Sequence, residues 1–419
     1  MRIWLVTVGE PLPTDAGTPR LLRTGLLAKR LLARGHTVDW WNSTFDHVAK
    51  RHRAPQDTAL QVRERYRLLL LHGPAYRRNV SLRRWANHRV IAAHFTRWMP
   101  QEPPPDLILC SLPNLELARE AIRYAEPRRI PVVLDLRDMW PDIFPDALPS
   151  GLRWTARALT AGLRRDLRFA CRGAAALTGI TPEFIDWGLG AAGRVRTDRD
   201  RHFWLASSAT PPETAAVDAA RVEWAARGLA SGSDRPIACF FGTMSRKLEL
   251  DTVIRAAAEL ANDRAPWQFV LCGSGDELAR FEAQARDLTN VVFPGWVDAA
   301  QIWSLMSLAS VGLAPYRSRA DFVASVPTKA IEYLSAGLPV VSSLSGSLAA
   351  LLARTGAGVT YPNGDSAALA DVLRSLMDGR RDRAAMARSA RDAFNREFVA
   401  EQVYEAMAVY LETFGPPGR

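Results

Sequence analysis

Short apolar runs recur along this chain at 2–8, 37–41, 106–111, 130–136 and 174–179, and again at 236–241, 267–272, 291–293, 311–314, 338–343 and 357–361. Between successive runs the apolar positions fall at helical spacing. Strands that alternate with helices in this way predict an α/β fold with parallel sheets. The alternation occurs twice. Ala206-Ser-Ser-Ala-Thr-Pro-Pro212, rich in small residues, interrupts it and places a domain boundary near 205–215. With 419 residues, 48% of them hydrophobic, the chain is ample for two cores.

Charge changes this picture in one segment. Residues 51–100 hold eleven arginines and two acidic residues, a net charge of +9 against +10 for the whole chain. Tyr66, Leu68 to Leu71, Tyr76, Trp85, Phe95 and Trp98 are interleaved with those arginines. Such a mixture suits a segment resting on anionic lipid, where each cation near the surface contributes about 1 kcal/mol. A solvated helical face reads the same way. No helix-turn-helix, zinc or RNA-recognition motif accompanies the basic segment, so no nucleic-acid partner is expected. No apolar run approaches the roughly 20 residues that span a bilayer, and any membrane association is expected to be peripheral. Cys110, Cys171, Cys239 and Cys272 form no Cys-x-x-Cys pair and read as reduced core residues of a cytosolic protein. The seven histidines all fall at or before residue 202 and make no metal-ligand spacing, so no essential metal is expected.

The densest candidate chemistry is Ser325-Val-Pro-Thr-Lys-Ala-Ile-Glu-Tyr-Leu-Ser-Ala-Gly-Leu-Pro-Val-Val-Ser-Ser343. Pro327 suits the first turn of a helix and Gly337 the left-handed position past its end, which predicts a short helix over about 327–336. Lys329 and Glu332, three apart, share a face near its N-terminus, where partial positive charge and free N–H groups favour a phosphate. An ordinary surface Lys/Glu pair has the same spacing. Leu338 to Ser343 then reads as a buried strand, and ligands of open parallel sheets sit beyond such strand ends. A second strand-turn-helix, Pro236-Ile-Ala-Cys-Phe-Phe-Gly-Thr-Met-Ser-Arg-Lys-Leu-Glu-Leu-Asp251, turns at Gly242-Thr243 and carries Arg246 and Lys247. Cations there would stabilise a departing diphosphate, although a solvated Arg-Lys turn is the plainer reading. Near the start, a loop containing Gly17 follows the first strand, with no Gly-x-Gly-x-x-Gly and no Walker lysine, which counts against a nicotinamide enzyme or an NTPase. Finally, Ile130-Pro-Val-Val-Leu-Asp-Leu-Arg-Asp-Met-Trp-Pro-Asp142 ends a strand in Arg137-Asp138, a pair that could serve catalysis or pin a loop.

These segments together resemble the family 4 retaining glycosyltransferases. The resemblance extends over nearly the whole chain. It implies the GT-B fold, two Rossmann-like domains facing across a cleft: an N-terminal acceptor domain over 1–205, a nucleotide-sugar domain over 206–396, and a helix over 397–419 crossing back to the first. It implies a ribose-binding role for Glu332, diphosphate contacts from Lys329, Lys247, Arg246 and the Gly242-Thr243 turn, a backbone approach at Gly17, and catalytic-region roles for Arg137, Asp138 and Lys247. The family motif has a glutamate eight positions before Glu332, where this chain has Ala324, with Asp321 as the candidate stand-in. Thr243 stands where the family has arginine. The 130–142 run, with Ser43-Thr-Phe-Asp-His47 and Asn79-Val-Ser-Leu-Arg83, resembles the O-antigen and capsule subgroup, which handles amino or deoxy sugars. The expected reaction moves an N-acetylated or deoxy hexose, with retention, from a nucleoside-diphosphate donor, most simply UDP-linked, to a polyprenyl-diphosphate-linked saccharide. The expected location is the inner face of the cell membrane, with Arg77, Arg78, Arg83, Arg84 and Trp85 toward acceptor and lipid. An epimerase acting on a UDP-amino sugar and an inactive membrane-associated scaffold are the alternatives.

Overall fold

The computed structural model describes every residue except 18, 78–80, 146–150, 152, 209, 230–234 and 416–419. The chain divides into two compact units, Met1–Trp204 with Glu401–Arg419, and Leu205–Ala400.

The first unit is built on an eight-stranded sheet. Its strands are β1 (Arg2–Val6), β2 (Thr37–Ser43), β5 (Thr58–Arg63), β6 (Tyr66–Leu71), β7 (Leu107–Leu112), β8 (Val132–Leu136), β9 (Ala176–Gly179) and β10 (Arg201–His202), in the order β10-β9-β8-β7-β1-β2-β6-β5. Only β5 runs antiparallel to its neighbour. A small hairpin, β3 (Phe45–Asp46) with β4 (Arg51–His52), stands beside the main sheet. The order reverses between β1 and β7, so the loops after these strands flank the crevice where open sheets bind ligands. The C-terminal helix Ala400–Glu412 is tied to this unit by Arg34, which meets Glu405 and Glu412 at 2.5 and 2.7 Å, and by Tyr410, whose hydroxyl donates to the Arg199 carbonyl.

The second unit has a six-stranded, wholly parallel sheet of β11 (Ile237–Phe241), β12 (Gln268–Cys272), β13 (Val291–Val292), β14 (Val311–Ala314), β15 (Val340–Ser342) and β16 (Gly358–Thr360), in the order β13-β12-β11-β14-β15-β16. Here the order reverses between β11 and β14. Both strands are completely buried, as expected where helices cover both faces. All four cysteines are buried and free.

One expectation is overturned. Apart from Trp85 and Trp98, the apolar residues interleaved with arginines over 66–98 are core and present no surface to lipid. Tyr66 and Leu68–Leu71 form β6, paired along its length with β2. Phe95 is wholly buried, edge-on to Trp41 at 4.9 Å, and Tyr76 is 7% exposed. The reason is amphipathic geometry: most of the arginines sit at alternate or helical positions and point outward from elements whose apolar faces build the core, Arg84 excepted. Arg67 lies on β6 yet swings out to bridge Asp39 and Glu102, both at 2.7 Å.

Candidate functional site

At the sequence-reversal point of the second sheet, three strand-end loops lock together through their backbones. The Gly242 N–H donates to the Cys272 carbonyl at 3.0 Å, Gly273 N–H to Gly295 at 2.7 Å, and Met244 N–H to Ser274 at 2.9 Å. Gly273 abuts the Gly242 carbonyl so closely that no β-carbon fits between them. Glycine is required for that approach, because any side chain would drive the β11 and β12 loops apart. A cleft of about 190 Å³ opens here, lined by Gly242, Thr243, Gly273, Ser274, Trp296 and Val297 among others. Trp296 is 72% exposed beside it, an unusual position for so large an aromatic side chain.

Lys329 reaches this point from the helix Thr328–Ser335, whose N-cap is Pro327. A β-carbon on Gly242 would fall 2.5 Å from the Lys329 Nζ, so the glycine also makes room for the ammonium. The ammonium stands 5.6 Å from the Phe240 ring centre and 5.8 Å from that of Tyr316. Burial pushes its pKa down, and nearby Glu332 partly restores it. A partly desolvated cation held over aromatic rings, beside a glycine turn, is well placed to take a phosphate anion. The supporting helix is fixed by Tyr333, fully buried against Gly312, whose hydroxyl donates to the Leu313 carbonyl at 3.1 Å.

The other residues singled out in this unit occupy less enclosed positions. Lys247 and Arg246 are exposed. Arg246 meets Glu277 at 3.0 Å, and the Lys247 carbonyl accepts from the Arg317 N–H, so the turn is held while both side chains face solvent. Thr243 is exposed at the cleft. Ala324 is buried, and Asp321 forms a two-pronged pair with Arg319 at 3.1 Å for each oxygen. The Gly242 turn thus receives Lys329 directly, a proximity that sequence spacing could not reveal.

In the first unit Arg137 has all three guanidinium nitrogens engaged. Nε donates to Asp135 at 2.6 Å, one terminal nitrogen to Glu10, and the other to the Thr24 hydroxyl at 3.0 Å. Arg23 grips the same Asp135 with two bonds of 2.9 Å and donates to the carbonyls of Phe203 and Trp204. Glu10 in turn accepts from the Thr24 N–H and hydroxyl. Arg137 therefore positions structure: it clamps the loop after β1 to the end of β8. Asp138 beside it occupies a partly buried position, near enough to Arg84 to act on its charge. Gly17 lies exposed on the clamped loop with open space around it. Along the basic segment Arg77 and Arg83 are exposed, Trp85 is 41% exposed and donates to Glu116, Arg84 is folded inward over aromatic rings, and Arg78 lies outside the described residues. Among the described residues no cluster of three or more His, Cys, Asp or Glu could hold a metal ion.

Residues 225–393 match the family of glycosyl transferases group 1. The matched stretch lies within the second unit and covers less than half of the chain. A stretch of 173 residues, 40% of the chain, is 28% identical to the amylovoran biosynthesis glycosyltransferase AmsK of Erwinia amylovora, and spans only 42% of that relative's length. Among solved structures, sucrose-phosphate synthase from Thermosynechococcus elongatus superposes with a TM-score of 0.70 at 17% identity, covering 99% of each chain. Anabaena HepE in complex with UDP-glucose gives 0.64 at 16% identity, over 99% of this chain and all of that one. The fold is GT-B, and the matched stretch contains Gly242, Lys329 and Glu332.

Sequence reasoning missed Gly273 and Trp296 in the second unit, and Glu10, Arg23 and Asp135 in the first unit. Signals existed for two of them: Cys272-Gly-Ser-Gly-Asp276 puts paired glycines at a strand end, and Asp135 is a carboxylate inside an otherwise apolar strand, which demands a buried partner.

The Asp135 network generates a prediction. Burial alone would raise the Asp135 pKa, but Arg23 and Arg137 outweigh it and hold the carboxyl well below its ordinary value. A depressed folded-state pKa contributes stability above the unfolded value near 4, and that stability is lost as pH falls below it. Denaturant unfolding should show this loss beginning near pH 5 and continuing below about pH 3. Arg137→Met should cost about 3–5 kcal/mol at pH 7 by stripping a cation from a buried carboxylate. A residue whose role is only to touch substrate would cost within about 0.5 kcal/mol.

Proposed function

We propose that the protein transfers a sugar, with retention of configuration, from a nucleoside-diphosphate donor to a lipid-linked saccharide acceptor during assembly of a cell-surface polysaccharide. The observation that carries this reading is the Lys329 ammonium seated at the Gly242 turn, above the switch point of the parallel sheet. In the proposal Lys329 holds the diphosphate, Glu332 one turn along bonds the ribose, and the exposed face of Trp296 offers a surface for the base. Lys247 and Arg246, on the adjacent turn, add positive charge as the diphosphate departs. The leaving phosphate itself takes the acceptor's proton, so the reaction asks for neither a protein base nor a metal. A UDP-linked donor is supported by the UDP-glucose complex of HepE, and a polysaccharide product by the name of AmsK. The buried Ala324 and the Arg319-bound Asp321 leave the motif's first carboxylate unfilled, which favours an amino or deoxy sugar over one whose hydroxyls that carboxylate would bind.

Peripheral association with the inner face of the membrane belongs to the same proposal, through a surface that keeps Trp85 of the 66–98 aromatics and adds apolar residues from another helix. Trp154 is 68% and Leu159 78% exposed on the helix Arg153–Leu159, with Arg153, Arg157, Arg165 and Arg168 exposed on it and on the following helix. Leu82 and Trp85 are exposed on the helix Leu82–Trp98, and a groove of about 660 Å³ is lined by Trp85, Leu159 and Arg165 among others. Apolar side chains rimmed by arginines suit anionic lipid headgroups. No described helix is long and apolar enough to cross a membrane.

Thermal unfolding with UDP, GDP, dTDP, ADP and CMP tests the donor site. UDP at a hundredfold its dissociation constant should stabilise the protein by about 2.7 kcal/mol, and Lys329→Ala or Glu332→Ala should remove most of that shift. Silence across the panel in folded protein would leave the site without its nucleotide. For the membrane surface, flotation with vesicles containing phosphatidylglycerol should recover the protein and lose the Trp154→Glu, Leu159→Glu variant. Equal recovery of both, or of neither, would refute this docking face.

A further inference from the structure

The first unit carries a second cationic cluster, on the β3–β4 hairpin, the loop after β6 and the first turn of the helix Leu82–Trp98. Tyr76 is its centre. The Lys50 ammonium lies 5.1 Å from the Tyr76 ring centre and the Arg84 guanidinium 5.9 Å from it. Arg84 is also 4.7 Å from the centre of the Trp140 ring, which stacks on His88 at 5.7 Å. His47 shares its Nδ1 with the Tyr76 hydroxyl at 2.8 Å.

Two cations converge on one aromatic ring, and an anion bound between them would offset their mutual repulsion. Burial and Arg84 both push the Lys50 pKa down, and burial does the same for Arg84. Burial, with Lys50 and Arg84, brings His47 to about 4, so its imidazole is neutral at pH 7 and free to hydrogen-bond a hydroxyl. His88 is likewise lowered to about 3, by burial, Arg84 and His47. Two carboxylates act on the cluster. Asp46 caps the hairpin turn, accepting from Val48 and Ala49, and lies 3.3 Å from Arg53, while Asp138 faces Arg84. Their charge moderates the excess of positive field without reversing the downward shifts of Lys50 and Arg84. Aromatic faces suit the apolar face of a sugar ring, and paired cations suit a phosphate or carboxylate on it.

We propose that Lys50, Arg84, Tyr76 and Trp140 form a recognition site for the anionic group of a charged saccharide. The inference rests on the transferase reading only in making that saccharide the acceptor. The anion has two sources, a sugar phosphate joined to a carrier or the carboxylate of an acidic sugar.

Calorimetric titration of the full chain with N-acetylglucosamine 1-phosphate, glucuronic acid and neutral N-acetylglucosamine tests it, with UDP titrated in parallel. At least one charged sugar should bind tenfold or more tighter than the neutral one. Preference for the phosphate assigns a carrier-linked group, and preference for glucuronic acid assigns an acidic residue. Arg84→Gln and Lys50→Met, the latter on an open turn where folding is least at risk, should each cost tenfold or more for the charged sugar and leave UDP affinity unchanged. Charged and neutral sugars binding alike, or both variants binding as the parent does, would overturn the proposal. Loss of UDP binding in the parent with charged-sugar binding intact would instead refute the donor reading and leave this site standing.

Discussion

The tight approach of the β11 and β12 loops at Gly242 and Gly273 is the constraint on which the second unit's candidate site depends. Because no β-carbon fits at Gly273, the two strand ends come within direct backbone hydrogen-bonding distance, and the β13 loop joins them through Gly273 and Gly295. The open space at Gly242 admits the end of Lys329, so a substitution there would displace the cation. Everything else is support. Tyr333, locked over Gly312, keeps the short helix from turning, and Pro327 ahead of it starts the helix at the residue before Lys329 can reach the turn. The result is a cation whose desolvation has been met by folding energy, so that it need not reorganise when charge develops beside it.

In the first unit a comparable arrangement serves structure. Asp135 sits wholly buried between Arg23 and Arg137, and the latter carries the connection on to Glu10 and Thr24. The loop following β1 and the end of β8 flank the reversal in strand order, and this network ties them together. Such a network is costly to desolvate, which makes its cost a fixed feature of this unit and its removal expensive. By contrast, the cluster around Tyr76 keeps its cations over aromatic rings at partly buried positions, an arrangement suited to an incoming anion.

Much of this was legible in the amino-acid order because β-strands buried on both faces announce themselves as apolar runs. Every run marked at the outset contains a strand of one of the two sheets, within a few residues. The hairpin Thr58–Arg63 and Tyr66–Leu71 escaped because β5 is largely exposed and polar, and because arginine at 67 disguises a strand whose next four residues are core. Lys329 and Glu332 stood out through their place between a proline and a glycine. Their pairing with Gly242, some ninety residues earlier, did not, since sequence spacing carries no information about which strand ends meet. Arg137 was visible as chemistry, but its partners Glu10 and Thr24 lie more than a hundred residues earlier and could not be read from its neighbours. Residue type told of charge, and only the fold told what neutralised it.

The most direct test is a crystal structure of the full chain with UDP bound. The account predicts the diphosphate at the Gly242 turn, an oxygen within about 3 Å of the Lys329 Nζ, and the ribose against Glu332. A nucleotide seated elsewhere, with Lys329 left packed over Phe240 and Tyr316 and no phosphate beside it, would contradict it.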